Sequence, residues 1–310
     1  MTARANSRLR RLHAELAAAT TEAPESDGPM LDELRLLPLD MPPPPGYELS
    51  PPVPNIAGMA AQFMRDGFLH VPGALSPEER DHCLDLMRWS VSNPSKLTGD
   101  GVPTDESLSI HIKNTWNTEN RDGRGEEFAQ TVLNQMTNYP VCDVVEAVLG
   151  EDMHLHGTSC WTTRPGRPTQ TTHVDYVPVD WGEAGAELLG SGTVEMPFMV
   201  LTGHYYLDDL YEELGPTKFI AGSHLSGRGP KAGEDTWNGK PAQALLVKGG
   251  DCVLFVSTVW HFGSANTSND TRHMMQFHYS NRWIHRHFQP YLDSNNDDQP
   301  FRYRPEILVL

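Results

Sequence analysis

Basic residues are scarce in this chain: 24 Lys and Arg stand against 41 Asp and Glu, a net charge of -17. A surface of that sign repels nucleic acid and anionic membranes, so neither is expected as a partner. No apolar run approaches the roughly 20 residues that a membrane-spanning helix needs. Cysteine is sparse as well. Cys83, Cys142, Cys160 and Cys252 lie far apart and form no CxxC pair, which argues against a disulfide scaffold and a zinc knuckle. Buried, reduced thiols in a cytoplasmic protein are the plain expectation. Nucleotide-binding glycine patterns are missing, and no serine, cysteine or acid pair forms a nucleophile arrangement. Arg4, Arg8, Arg10 and Arg11 precede only a short Ala-rich segment broken by Glu15, so a terminal helix is expected rather than a targeting signal.

What is present divides in two. Residues 1–55 read as a Pro-rich arm, with Met41-Pro-Pro-Pro-Pro-Gly46 and Pro51-Pro52 forcing extended backbone. Residues 56–310 read as one domain that starts with helices and ends with strands. Ala57–Arg65 is a predicted helix closed by Gly67, followed by a strand at Phe68–Val71. Ser76-Pro-Glu-Glu79 has the composition of a helix start, with a capping Ser, Pro in the first turn and acids behind it. Leu84, Met87 and Val91 continue that helix on one face. Further helices are predicted at 126–136 and 141–149. Beyond Met153 come short β-branched and aromatic runs between turns: 154–163, 169–177, 197–207, 244–247, 252–256 and 273–279. Short strands at this spacing predict a mainly β jelly roll with helices packed on one side.

One of those runs carries chemistry. In Thr172-His173-Val174-Asp175-Tyr176, strand alternation would send His173 and Asp175 to the same face. An imidazole and a carboxylate cover two metal positions, and a second imidazole would complete a facial triad with three positions left open, as suits non-haem iron(II). A lone HxD occurs by chance in a chain with 14 histidines. The second half of the pattern is Trp260-His261, with Arg272 eleven residues later. A hairpin of that length would set a guanidinium beside the metal, where it could clamp a carboxylate in bidentate fashion.

From Ile56 onward the sequence resembles the phytanoyl-CoA dioxygenase (PhyH) family of iron(II)- and 2-oxoglutarate-dependent oxygenases. The matching pieces are Phe63-Met-Arg-Asp-Gly-Phe-Leu-His-Val-Pro-Gly73 with Leu75-Ser-Pro-Glu-Glu79, then His173-Val-Asp175. Gly215-Pro-Thr217 through Gly222-Ser-His224, Gly250-Asp251, and His261 with Asn266, Ser268 and Arg272 complete the match. The resemblance implies a double-stranded β-helix, with iron(II), 2-oxoglutarate and O2 as cofactors and ascorbate as an accompanying reductant. It implies His173, Asp175 and His261 as metal ligands and Arg272 as the salt-bridge partner of the co-substrate. Gln170, Lys113 and Thr217 match positions that also meet 2-oxoglutarate, although Gln170 has the wrong strand parity for His173. Two positions depart from the family. Leu214 stands where an Asn is common, and Gly263 where a Ser is common, which leaves Ser264 as a substitute hydroxyl.

Other histidines have plainer roles. His224 reads as a turn residue, His204 as a satisfied core histidine, His154 and His156 as polar strand residues, and His285 and His287 as surface groups. Of Tyr205 and Tyr206, one should face inward. Tyr176 and Trp181, just after the HxD, are the expected substrate-facing aromatics. The substrate is expected to be a small molecule of secondary metabolism: a polyketide, terpenoid, amino-acid derivative or oligosaccharide antibiotic. An acyl-CoA fits poorly, because the chain offers no basic surface for its phosphates. The expected outcome is hydroxylation, desaturation or ring closure at an unactivated C–H bond. The competing readings are a cupin-like hydrolase or isomerase, and a small-molecule binding protein without chemistry.

Overall fold

A computed structural model of the protein describes residues 55–93, 104–106, 108–113, 123–175, 198–281 and 284. The chain divides at Val53/Pro54, and everything described belongs to the second unit. The Pro-rich arm, Tyr176, Trp181, His285 and His287 lie outside the described residues, as do the side chains of Lys113 and His156.

Four helices come from the first half. Helix α1 (Ile56–Asp66) is capped by Asn55, whose side chain accepts from the Gly58 N–H at 2.9 Å, and it ends at Gly67. Helix α2 (Pro77–Ser92) begins with a capping box. Ser76 Oγ accepts from the Glu79 N–H, and Glu79 Oε2 accepts from the Ser76 N–H, which satisfies two otherwise orphaned donors. Helices α3 (Gly123–Gln135) and α4 (Val141–Leu149) follow, the former starting three residues earlier than predicted. Among the described residues no helix is long and apolar enough to cross a membrane.

The strands form a large and a small sheet. The seven-stranded sheet contains β1 (Phe68–Val71), β2 (Thr104–Glu106), β3 (Ser109–Lys113), β4 (Met153–Thr163), β5 (Val200–Tyr206), β10 (Cys252–Val256) and β12 (Arg272–Asn281). Their spatial order is β1-β10-β5-β12-β4-β3-β2, and every pairing is antiparallel. The small sheet is β11-β6-β9, made of β6 (Thr217–Phe219), β9 (Gln243–Ala244) and β11 (His261–Gly263). A two-stranded ribbon joins β7 (Thr236–Trp237) to β8 (Lys240–Pro241).

Alternation along the strands gives the large sheet two different faces. Leu201, Tyr205, Leu254, Met275, Phe277 and Cys160 share one buried core with Phe128 and Val132 of α3 and Val144 and Val145 of α4. Tyr279 Oη donates to the Met136 carbonyl at 2.6 Å, tying β12 to the end of α3. The opposite face carries Thr202, His204, Tyr206, Gln276 and His278 and looks toward the small sheet. There Phe255 lies 5.1 Å from Phe219, and Tyr206 Oη donates to Thr217 Oγ1 at 3.0 Å. Both tyrosines are thus buried, one on each face. The four cysteines are buried and none is in a disulfide.

Two strand predictions fail locally. The strand predicted at 244–247 contributes only Gln243–Ala244. The run at 169–177 is not a strand over its described part; only His173 makes a β-bridge, to His261. The hydrogen bonds explain this. Gln170 pairs with Gly263 and His173 with His261, so three steps on one side match two on the other. That extra residue interrupts the ladder as a bulge does. The predicted hairpin from His261 to Arg272 is also replaced. β11 and β12 belong to different sheets, so the connection crosses the sandwich.

Candidate active site

His173, Asp175 and His261 converge between the two sheets. One ligand atom from each lies within 4.8 Å of the others. Their placement follows from backbone bonds. The His173 N–H donates to the His261 carbonyl at 3.0 Å, the His261 N–H returns the bond at 2.9 Å, and the Asp175 N–H donates to the Ser257 carbonyl. The irregular segment is thereby held along β11, which supplies the third ligand.

Each imidazole is oriented by its far nitrogen. His173 Nδ1 lies 2.8 Å from the Thr171 carbonyl, and His261 Nδ1 lies 2.9 Å from the Val259 carbonyl. A carbonyl can only accept, so both Nδ1 atoms carry the proton and both Nε2 lone pairs are free to bind a metal. The Nε2 atoms sit 3.9 Å and 3.4 Å from Asp175 Oδ1. Burial, and then the nearby His261, hold His173 below the usual histidine range. Burial opposes charge on both Asp175 and His261, but their mutual attraction prevails: Asp175 lies well below the usual carboxylate range and His261 is raised. Two nitrogen donors and one carboxylate gathered this closely match the donor set of a facial iron(II) site.

Arg272, the first residue of β12, is buried. Its Nη1 donates to the Gly215 carbonyl, and its Nη2 to Thr163 Oγ1 at 3.3 Å. Gly215 has φ +77, and a Cβ there would lie 2.7 Å from the Ser264 carbonyl, so only glycine fits this turn. Arg272 Nε is buried without a partner, and no ion pair among the described residues involves this guanidinium. Burial pulls its pKa down from the ordinary arginine value. An unpaired buried cation is costly and is stabilised by an anion.

The remaining expectations divide. Thr217 sits on β6 with its hydroxyl bonded to Tyr206. Gln170 is closer to the cluster than parity suggested. The extra residue before His173 puts Gln170 opposite Gly263, two positions from His261 and on the same face, and its Oε1 accepts from the Gly263 N–H at 2.8 Å. Ser264 Oγ is buried without a partner. Lys113 is paired in the backbone with Ser159. His224 is buried, and its Nε2 lies 3.0 Å from the Met64 carbonyl, as suits a structural residue. His154 is buried on β4, with Nε2 3.3 Å from Ser280 Oγ.

Several groups beside the cluster carry no sequence signature. His204 Nε2 meets Gln276 Nε2 at 3.0 Å, and Gln276 Oε1 accepts from Ser159 Oγ and Trp161 Nε1 at 2.7 and 2.9 Å. His278 Nδ1 lies 3.0 Å from Thr202 Oγ1. Burial pushes His204 and His278 down, which favours neutral rings. Arg167 also enters the site. Arg-Pro-Gly-Arg-Pro reads as an exposed turn, and only the glycine at 263 hinted that something else needs that space. Elsewhere a groove of about 590 Å³, lined by Asp208, Tyr211, Asp270 and His273 among others, contains none of the three converging residues. Two of its acids are bonded within it, Asp208 to His273 and Asp270 to Tyr211.

Comparison with known proteins identifies the family. The sequence profile of the family "Phytanoyl-CoA dioxygenase (PhyH)" matches residues 63–274, more than half of the chain. The multifunctional dioxygenase prhA of Penicillium brasilianum is 22% identical over 245 residues, covering 74% of this chain and 73% of its own. The Fe(II)/2-oxoglutarate-dependent dioxygenase nvfF of Aspergillus novofumigatus (strain IBT 16806) is 27% identical over 232 residues, covering 74% and 70%. Among solved structures, the epimerase SnoN with Fe3+, alpha ketoglutarate and nogalamycin RO superposes with a TM-score of 0.53 at 19% identity, over 73% of this chain and 83% of that one. HygX from Streptomyces hygroscopicus, bound to nickel, 2-oxoglutarate and hygromycin B, gives 0.54 at 14% identity, over 73% and 87%. These two likenesses are of fold, a jelly roll of the kind predicted. With the family profile spanning both halves of the site, the chain belongs to the phytanoyl-CoA dioxygenase family and is an iron(II)- and 2-oxoglutarate-dependent dioxygenase.

Proposed function

We propose that His173, Asp175 and His261 hold the iron, that Arg272 with Thr217 and Gln170 holds 2-oxoglutarate, and that the enzyme oxidises a C–H bond of a small, oxygen-rich secondary metabolite. The observation that carries this reading is the convergence of the three side chains beside a buried guanidinium that has no carboxylate of its own. Bound there, iron(II) with O2 and 2-oxoglutarate supplies the oxidising chemistry, yielding succinate and CO2 as the substrate C–H bond is oxidised. The chain's own part is orientation. The Thr171 and Val259 carbonyls fix both ring tautomers, Asp175 offsets part of the metal charge, and Arg272 fixes the far end of the keto acid.

The substrate class is drawn from the face opposite the helices. Gln276 and His278 are only partly buried there, on a wall that also holds Thr202, His204, Ser159 and Trp161. A wall of neutral donors and acceptors suits hydroxyls and carbonyls better than an alkyl chain. Molecules of that kind, nogalamycin RO and hygromycin B, occupy two proteins of similar fold. Tyr176 and Trp181 remain candidate substrate contacts. The net charge of -17 disfavours an acyl-CoA.

The test is 2-oxoglutarate turnover against a panel of polyketide, terpenoid and aminoglycoside-type metabolites, with succinate and oxidised product both measured. Matched succinate and product from an oxygenated metabolite is the expected result. Turnover stimulated only by fatty acyl-CoA would overturn the substrate class, and no 2-oxoglutarate-dependent succinate with any metal would overturn the site assignment.

A further inference from the structure

Arg167 lies six residues before His173, in a turn whose backbone is pinned to Asn266: the Asn266 N–H donates to the Arg167 carbonyl at 3.0 Å. Its residue is 8% exposed, and Nη1 is buried without a hydrogen-bond partner. None of the ion pairs among the described residues includes it. The guanidinium occupies a defined place. A Cβ added to Gly263 would lie 2.5 Å from Arg167 Nη1 and 2.9 Å from Gln170 Oε1. Gly263 pairs with Thr217 and follows His261 by two residues, so it faces the same way as that ligand. Its backbone is not in the left-handed region, so conformation does not require glycine there. What glycine supplies is room for the arginine head.

We infer that Arg167 is a second residue gripping the distal carboxylate of 2-oxoglutarate, sharing it with Arg272 across the cleft floored by Gly263; this rests on the co-substrate assignment proposed above. Two buried guanidiniums close enough to repel destabilise each other unless an anion comes between them. Burial first, and then the charge of Arg272, bring the Arg167 pKa down to about 10. Among the described residues, Asp208, whose charge acts on Arg272, is held by the His273 N–H and ring, and Asp175 is committed to His261. A carboxylate between the two forks would satisfy donors on both sides, including Arg167 Nη1 and Arg272 Nε, which now lack partners. Arg167 would thereby favour dicarboxylic over monocarboxylic keto acids.

The test is anaerobic calorimetric titration of the iron(II)-loaded, full-length protein with 2-oxoglutarate and with 2-oxovalerate, which keeps the chelating end and lacks the distal carboxylate. Arg167→Met is expected to weaken 2-oxoglutarate binding roughly ten- to a hundredfold and to leave 2-oxovalerate binding unchanged; Arg167→Lys should fall between. Gly263→Ala, which crowds the guanidinium, should weaken 2-oxoglutarate binding in the otherwise native chain and have a smaller effect in the Arg167→Met background, where only Gln170 is still crowded. Wild-type affinity for 2-oxoglutarate in Arg167→Met, with affinity lost in Arg272→Met, would overturn the inference and spare the site assignment. Wild-type affinity in both would sink the assignment too. Should Arg167→Met fail to fold, an unchanged affinity in Gly263→Ala would overturn the inference by itself.

Discussion

Along β12, Met275, Phe277 and Tyr279 turn toward the helices, whereas Arg272, Gln276 and His278 turn toward the small sheet. The same contrast runs through β5, where Leu201 and Tyr205 face one way and Thr202, His204 and Tyr206 the other. The helix-covered face is apolar and closes on α3 and α4, so its residues serve burial. The other face keeps polar groups under cover, each requiring a partner, and meets two guanidiniums that each have one nitrogen without one. Stability comes from the first face, and binding from the second, where unpaired groups wait for ligands.

Substitutions on each face should separate these roles. The largest effect is expected from His261→Ala, which should remove iron binding and all 2-oxoglutarate turnover while leaving the fold intact by circular dichroism. Phe277 is fully buried and meets Tyr205 edge to face at 5.3 Å. Phe277→Ala should therefore lower stability by about 3–5 kcal/mol in denaturant titration without changing iron affinity at temperatures where the variant stays folded. Loss of iron binding by folded Phe277→Ala would break the division between the faces. Arg272→Met should weaken 2-oxoglutarate binding by about 2–3 kcal/mol, and its melting temperature should hold or rise, because an unpaired buried charge is gone. A large drop in melting temperature would place Arg272 with the stabilising face instead. The smallest effect is expected from Gln276→Leu. Two donors lose their acceptor, at about 1–2 kcal/mol of stability, and substrate KM should rise while iron and 2-oxoglutarate affinities stay put.

Legibility in the sequence followed the range of the interaction. The capping box at Ser76–Glu79 and the strand 252–256 depend on neighbours in the chain and could be read directly. The HxD, the distal His261 and Arg272 were legible as a pattern, but the path joining them was not. Whether β11 and β12 form a hairpin or belong to separate sheets depends on partners β6, β5 and β4, which local sequence does not name. Strand parity misplaces Gln170 because it assumes an even ladder, and the extra residue between 170 and 173 shifts it. Arg167 was missed because its burial depends on an absent side chain at Gly263, in a different part of the chain. The polar wall was missed for a similar reason, since alternation along β5 and β12 does not say which face meets helices and which meets the site.

Three side chains from two chain segments are proposed to make one iron site on which co-substrate binding depends. Anaerobic titration of metal-free protein with iron(II), then with 2-oxoglutarate, tests it directly in the native chain and in Asp175→Ala. The account predicts one iron per chain with 2-oxoglutarate binding only after the metal, and neither event in the variant. Native-strength binding of iron and 2-oxoglutarate by Asp175→Ala would contradict it.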